Sequence, residues 1–153
     1  MDQQEAHRHF SVECFNDAWG LLEKPDRSPV EDRLMREMAH ASLFHWLRRE
    51  DCEALNISVG LWLVSRVSAV LGQGAEAEGY ARDCIEVSES SSLEPFYVGY
   101  SYEAVARAMQ ILGDSESSVE AIAKADEILC QIESEEEKEQ LKNDLQELRE
   151  QDA

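Results

Sequence analysis

The sequence predicts an all-α fold built as an antiparallel array of helical hairpins, and three observations predict it. Apolar residues recur at spacings of three and four, the joints between periodic segments carry Pro25, Pro29, Gly72, Gly74, Pro95 and Gly113, and one pair of segments repeats at an offset of 41 residues. Three hairpins are expected over about 4–49, 54–89 and 94–132, with a capping helix over about 134–150, all in a single domain 1–153.

The first helix is expected from Gln4 to Glu23, where Phe15, Ala18, Trp19 and Leu22 share a stripe, and the segment Lys24 to Arg27 turns the chain. Ser28-Pro29-Val30-Glu31 opens the second: Ser28 can cap the free amides, Pro29 suits the first turn, and Glu31 can reach back to complete a capping box. That helix carries Leu34, Met38, Ala41 and His45 on one row and Met35, Ala39, Ser42 and Trp46 on the next, and ends near Arg49. The third, Ala54 to Leu71, is apolar on two sides, as a central helix between neighbours would be. Gly72 and Gly74 are expected to supply left-handed termination before a fourth helix that buries Ala77, Ala81, Cys84 and Ile85.

The polar run Ser88 to Leu93 is expected to be the longest loop. Glu94-Pro95 opens a fifth helix with Tyr97, Ser101, Ala104, Val105, Ala108 and Leu112 inward, and Gly113-Asp114 joins a C-terminal Gly to an N-cap Asp. The sixth helix runs to about Ile132, and Ser134 to Glu137 forms a second capping box. In the seventh, Leu141, Leu145 and Leu148 lie on one narrow stripe, which suits an end cap.

Setting Leu71-Gly72 on Leu112-Gly113 places Ser65 on Ala106, Ala77 on Ser118, Ala81 on Ile122 and Cys84 on Ala125, so two hairpins share a packing scheme. An offset of 42 extends it more weakly to the first hairpin. A helix ending in Leu-Gly, followed by small or apolar residues five, nine and twelve positions on, resembles the tetratricopeptide repeat (TPR), with a period longer than about 34. The strings Asp26-Arg27-Ser28-Pro29, Ala39-His40-Ala41-Ser42 with His45-Trp46, and Ser65-Arg66-Val67 with Ala69-Val70-Leu71-Gly72 are similar to a group of uncharacterised bacterial TPR-like proteins, over about residues 15–132. The resemblance implies an α-α superhelix with a concave face that binds a peptide or protein partner, and implies no reaction.

In such arrays the groove is lined by positions six, ten and thirteen before the hairpin Gly, which here are Arg66, Trp62 and Val59, then Arg107, Glu103 and Tyr100. The weaker alignment adds Lys24 and Asp17. Trp62, Arg66, Tyr100, Glu103 and Arg107 are therefore the candidate site, a local positive floor for a carboxylate or acidic segment. The alternative is internal pairing, since Glu103 lies one helical turn from Arg107. A second candidate is an enclosed pocket at His40, His45, Trp46 and Asn56, where a histidine could act as acid or base. His40 and His45, five apart, point about 140° apart and so do not chelate as an i, i+4 pair would. Trp19 and Trp46 are expected in the core.

Composition bounds the function. Thirty-three acids oppose 14 bases, a net charge of −19, so binding of nucleic acid or an anionic membrane is not expected. Residues 1–71 hold 12 acids and 8 bases, net −4, and residues 72–153 hold 21 acids and 6 bases, net −15. The hydrophobic fraction, 43%, is that of a chain with a real core. No apolar run reaches the roughly 18 residues of a membrane span and the first residues lack a signal segment, which predicts a cytoplasmic location. Cys14, Cys52, Cys84 and Cys130 have neither zinc-site nor redox spacing and read as buried free thiols. No cofactor, metal or catalytic motif is expected. The expected partner is a protein or peptide, with a self-associating scaffold, joined along the first helix or the Leu141, Leu145, Leu148 stripe, as a further alternative.

Overall fold

The computed structural model describes residues 1–152. Its elements are α1 (Gln3–Glu23), α2 (Pro29–Leu47), α3 (Ala54–Val70), α4 (Gly74–Ser90), α5 (Pro95–Leu112), α6 (Ser115–Leu129) and α7 (Glu135–Asp152), with no strand among the described residues. Helices pack in consecutive pairs, α1 on α2, α3 on α4 and α5 on α6, and the pairs stack through α2 on α3, α4 on α5 and α3 on α5. The chain is thus an all-α array of three hairpins, closed by α7 against α5 and α6.

The helix ends follow from their local chemistry. The Ser28 hydroxyl accepts from the Glu31 amide at 3.2 Å while the Ser28 amide donates to the Glu31 carboxylate at 3.2 Å, so the expected capping box forms. An equivalent box between Asp2 and Glu5 starts α1. Arg27 closes the other end of α1: its Nη1 donates to the carbonyls of Leu21, Leu22 and Lys24, and its Nε donates to Asp32 at 2.7 Å. Gly72 and Gly113 adopt φ of +76° and +77° and end α3 and α5 in the left-handed conformation.

Gly74 does not act as a terminator. It is the first residue of α4, and a Cβ there would stand 2.8 Å from the Leu112 side chain, so its smallness serves close helix approach. The expected long loop is also shorter than the polar run suggests. α4 continues through Ser90, because buried Ser88 finds partners in the Ile85 carbonyl and the Ser101 hydroxyl, and the connection shrinks to four residues, 91–94. The long repeat period therefore comes from helices of 17 residues rather than from the loop.

One packing scheme recurs between paired helices. The Ser65 hydroxyl of α3 donates to the Ala77 carbonyl of α4 at 2.8 Å, and the Ser118 hydroxyl of α6 donates to the Ala106 carbonyl of α5 at 3.2 Å. These are the same two repeat positions with the serine exchanged between helices. The first two hairpins share a second tie: Ser42 donates to the Ser11 carbonyl at 2.7 Å, and Cys84, its repeat equivalent, to the Ser58 carbonyl at 3.3 Å. Only small side chains allow such backbone approach, which explains why the repeat is conserved in size rather than in identity.

Two apolar clusters fill the interior. The first joins Ala18, Met35, Ala39, Leu43, Leu61, Leu63, Val64, Val67 and Cys84; the second runs from Ala69 through α5 and α6 to α7. In α2 the row Met35, Ala39, Ser42 is buried, whereas in the neighbouring row Leu34 is exposed and Met38, Ala41 and His45 are half-buried at the core's edge. Leu141, Leu145 and Leu148 are fully buried, each contributing roughly 1.5–3 kcal/mol of burial. This stripe is consumed internally and is not free to form a dimer seam. Leu141 docks where α5 presents Gly99, since a Cβ at Gly99 would lie 2.6 Å from its Cδ2. The four cysteines are free, but only Cys84 is buried, and Cys130 is exposed. Burial pushes the Cys84 thiol up to about 11.

Candidate functional site

The first helices of the three hairpins, α1, α3 and α5, border a common cavity. Phe15 and Trp19 of α1, Val59 and Trp62 of α3, and Phe96 and Tyr97 with Tyr100 of α5 pair at helical spacings of three or four and so share a side of their helices. They enclose an open cavity of about 410 Å³, with buried Ser58 and Cys84 also in its wall and Asn16 and Gln140 lining it too. The rings touch edge to face or tilted: Trp19 to Trp62 at 5.7 Å, Trp62 to Tyr100 at 5.8 Å and Phe96 to Tyr100 at 5.0 Å between centroids.

Three of the four polar rings of this group, all but Tyr97, give their hydrogen to a carboxylate. Trp19 Nε1 donates to Glu23 at 2.7 Å, Trp62 Nε1 to Glu103 at 3.1 Å and the Tyr100 hydroxyl to Asp144 at 2.5 Å. Burial first, and then the Asp144 hydrogen bond and charge, hold the Tyr100 hydroxyl well above the usual phenol range. Tyr97 is raised by burial and by the charges of Glu137 and Glu94. Among the described residues no charged side chain lines the cavity itself.

Behind this wall, Glu103 is 1% exposed and gathers the two candidate arginines. Arg107 Nε donates to Glu103 Oε1, and Arg66 Nη1 lies 3.6 Å from the same oxygen, an ion-pair distance beyond a hydrogen bond. Burial pushes the Glu103 carboxyl up to about 7, against the opposing pull of Arg66 and the Trp62 indole. The repeat explains this grouping, since Trp62 and Glu103, and likewise Arg66 and Arg107, are 41 residues apart and occupy matching places on adjacent helices. Of the five expected site residues, Trp62 and Tyr100 form the cavity wall and Glu103, Arg66 and Arg107 form the ion cluster beside it. The spare nitrogens, Arg66 Nε and Nη1 and Arg107 Nη2, are buried without hydrogen-bond partners, so they present no open floor to a ligand carboxylate.

Lys24 is not in the groove: it follows α1 and pairs with Glu31 at 2.7 Å. Trp19, expected in the core, is instead 36% exposed and stacks on Trp62. Its signal was the aromatic pair Phe15 and Trp19, four apart, falling 43 residues before Ser58 and Trp62.

The second set of candidates does not converge. Trp46 and Asn56 line a smaller cavity of about 230 Å³ with Val12, Phe15 and Tyr97, while His40 and His45 lie outside it. Asn56 also closes the start of α3 by accepting from the Glu53 amide at 2.9 Å. His40 Nε2 stands 3.0 Å from Glu76, an ion-pair separation without hydrogen-bond alignment. His45 faces His7 across α1 and α2, with Nδ1 atoms 2.8 Å apart, so one ring must donate and the other accept. Burial and the charge of His7 lower the His45 imidazole. Trp46 is covered by the Arg49 guanidinium, 3.9 Å from its centroid. Arg49 also pairs with Asp51 at 2.7 Å and donates to the Ser11 hydroxyl at 3.0 Å, tying α1 to the loop before α3.

Among the described residues no helix is long and apolar enough to cross a membrane, and no three His, Cys, Asp or Glu side chains are grouped to hold a metal ion. No protein-family model, curated protein or solved structure matches this chain.

Proposed function

We infer that this chain is a tetratricopeptide-like binding module without catalytic chemistry, whose concave groove receives a partner segment through the aromatic cavity. The observation that carries this is the cavity itself. At about 410 Å³ it falls within the range of roughly 300–1,000 Å³ for ligand sites, and rings from three successive hairpins wall it. Aromatic side chains are the usual anchors of interfaces, and here they border an open cavity while Tyr100, Trp62, Phe96 and Phe15 also pack on the core. The ion cluster has a supporting part: Glu103 fixes the Trp62 indole and neutralises one of two neighbouring guanidiniums. A carboxylate-bearing anchor is the weaker form of the proposal, because the spare arginine donors are buried. The four free thiols suit a reducing compartment, in keeping with a cytoplasmic module.

Selection from a peptide library displayed on phage tests the inference. Wild-type protein should enrich segments with a common anchor residue, and Val59→Trp, which fills the cavity from its own wall, should lose them while keeping its helical content. Enrichment that is identical for the two proteins would show that the groove is not the site.

A further inference from the structure

We propose that the aromatic cavity recognises a quaternary ammonium head, a cation carrying alkyl groups and no N–H, which deepens the reading of this groove as a binding site and rests on it. A cation is attracted to the negative face of an aromatic ring, most strongly to Trp and Tyr. Trp19, Trp62 and Tyr100 line one space together with Phe15, Phe96 and Tyr97. The first three each donate their polar hydrogen to a carboxylate, Glu23, Glu103 and Asp144 respectively. A hydrogen bond to an anion pushes electron density back into the ring and makes its face a better cation acceptor. Glu23 and Asp144 lie outside the cavity and favour a cation without offering it a hydrogen bond, whereas the charge of Glu103 is already offset by Arg66 and Arg107.

That arrangement selects among cations. A primary ammonium brings three N–H donors that must find acceptors when they leave water, and a guanidinium brings five. The uncharged polar groups in the wall are Asn16, Ser58, Gln140 and the Tyr97 and Tyr100 hydroxyls, and an N–H cation must draw all its acceptors from these, each at the cost of its contact with the rings. A trimethylammonium head has no donor to satisfy and spreads its charge over methyl groups that pack against aromatic faces. Arg66 and Arg107 do not oppose it from within, because both turn to Glu103 and neither lines the cavity. The net charge of −19 draws a cationic ligand toward the protein at long range. An anionic or neutral ligand gains nothing from these features.

Isothermal titration at about pH 8 and fixed ionic strength tests the proposal with choline and with its neutral analogue, in which carbon replaces the nitrogen. Choline should bind about tenfold more tightly than the analogue, the preference expected of a desolvated cation on several rings. Tyr97→Ala and Val59→Trp should weaken choline severalfold or more, and two separate variants guard against a misfolded one. Equal affinity for the two molecules overturns the cation preference and leaves the groove as an apolar site. Absence of choline binding, while phage-selected segments bind and Val59→Trp loses them, overturns the ammonium head and keeps the groove. Absence of both, with no loss in Val59→Trp, removes the groove as well. Peptides bearing lysine or trimethyllysine distinguish the source of the head. A trimethyllysine peptide that exceeds choline places it on a partner segment, and the reverse order places it on a small molecule. A preference for unmodified lysine contradicts the proposal.

Discussion

Glu103→Gln removes the charge at the point where the ion cluster meets the cavity wall, and the sign of its effect with pH is fixed by the structure. In the folded chain burial raises the carboxyl from 4.5 to about 7, while in the unfolded chain it keeps its ordinary value. Between those limits the folded state holds a proton that the unfolded state has lost. Stability contributed by this group is therefore fully present below about pH 4.5 and declines as pH rises toward 7. A shift of this size corresponds to about 3–4 kcal/mol at most, at roughly 1.4 kcal/mol per unit. Glutamine cannot titrate, so the stability of wild type minus that of Glu103→Gln should fall by up to that amount across the window. Urea unfolding followed by circular dichroism at several pH values measures the difference. Glu103→Ala, which leaves the Trp62 indole and two guanidiniums without an acceptor, should cost about 3–5 kcal/mol. A wild-type advantage over glutamine that grows with pH would refute the reasoning, because it would mean that the arginines outweigh burial.

Further outcomes follow from other contacts. Gly99→Ala should destabilise by about 1–3 kcal/mol in urea, because its Cβ would meet fully buried Leu141, whereas Gly79→Ala, with nothing within 4 Å, should stabilise by about 0.5–1 kcal/mol. His45 is depressed below its ordinary 6.5 by burial and by His7, so the unfolded chain takes up the proton first and stability is lost as pH falls through that value. His45→Gln should reduce this loss, and thermal melts at about pH 5 and 7.5 that fall equally in both proteins would exclude the imidazole pair as its cause. Ser28→Ala should lower stability by about 1 kcal/mol through loss of the α2 cap, and an unchanged urea midpoint would show that the box adds nothing.

The helices were legible because their signals are local. Ser28, Gly72, Gly113 and Asp114 mark ends through chemistry confined to one turn, and in the structure Ser28, Gly113 and Asp114 are caps while Gly72 is the left-handed residue just after the Leu71 cap. The rows of α3 and α5 were legible because the offset of 41 carries one helix face onto the next. Two things were lost between helices. The two helices of the first hairpin align with the second at different offsets, Ser42 on Cys84 at 42 but Trp19 on Trp62 at 43, and a slip of one residue turns a helix face by about 100°, which put Lys24 in the groove row and sent Trp19 to the core. The commitment of both arginines to Glu103 depends on side-chain reach across two helices, which spacing alone cannot fix. The His7 and His45 contact belongs to the same class: residues 38 apart meet only because α1 and α2 pack antiparallel.

The central claim is that the cavity between α1, α3 and α5 is where this protein binds, and the indole N–H resonances of its three tryptophans test it most directly. Trp19 and Trp62 line the cavity, whereas Trp46 lies in the smaller one under Arg49. On titration of nitrogen-15-labelled protein with choline, the Trp19 and Trp62 signals should shift together and saturate, with Trp46 unmoved. A shift confined to Trp46, or three unmoved signals in the presence of a phage-selected segment as well, would contradict it.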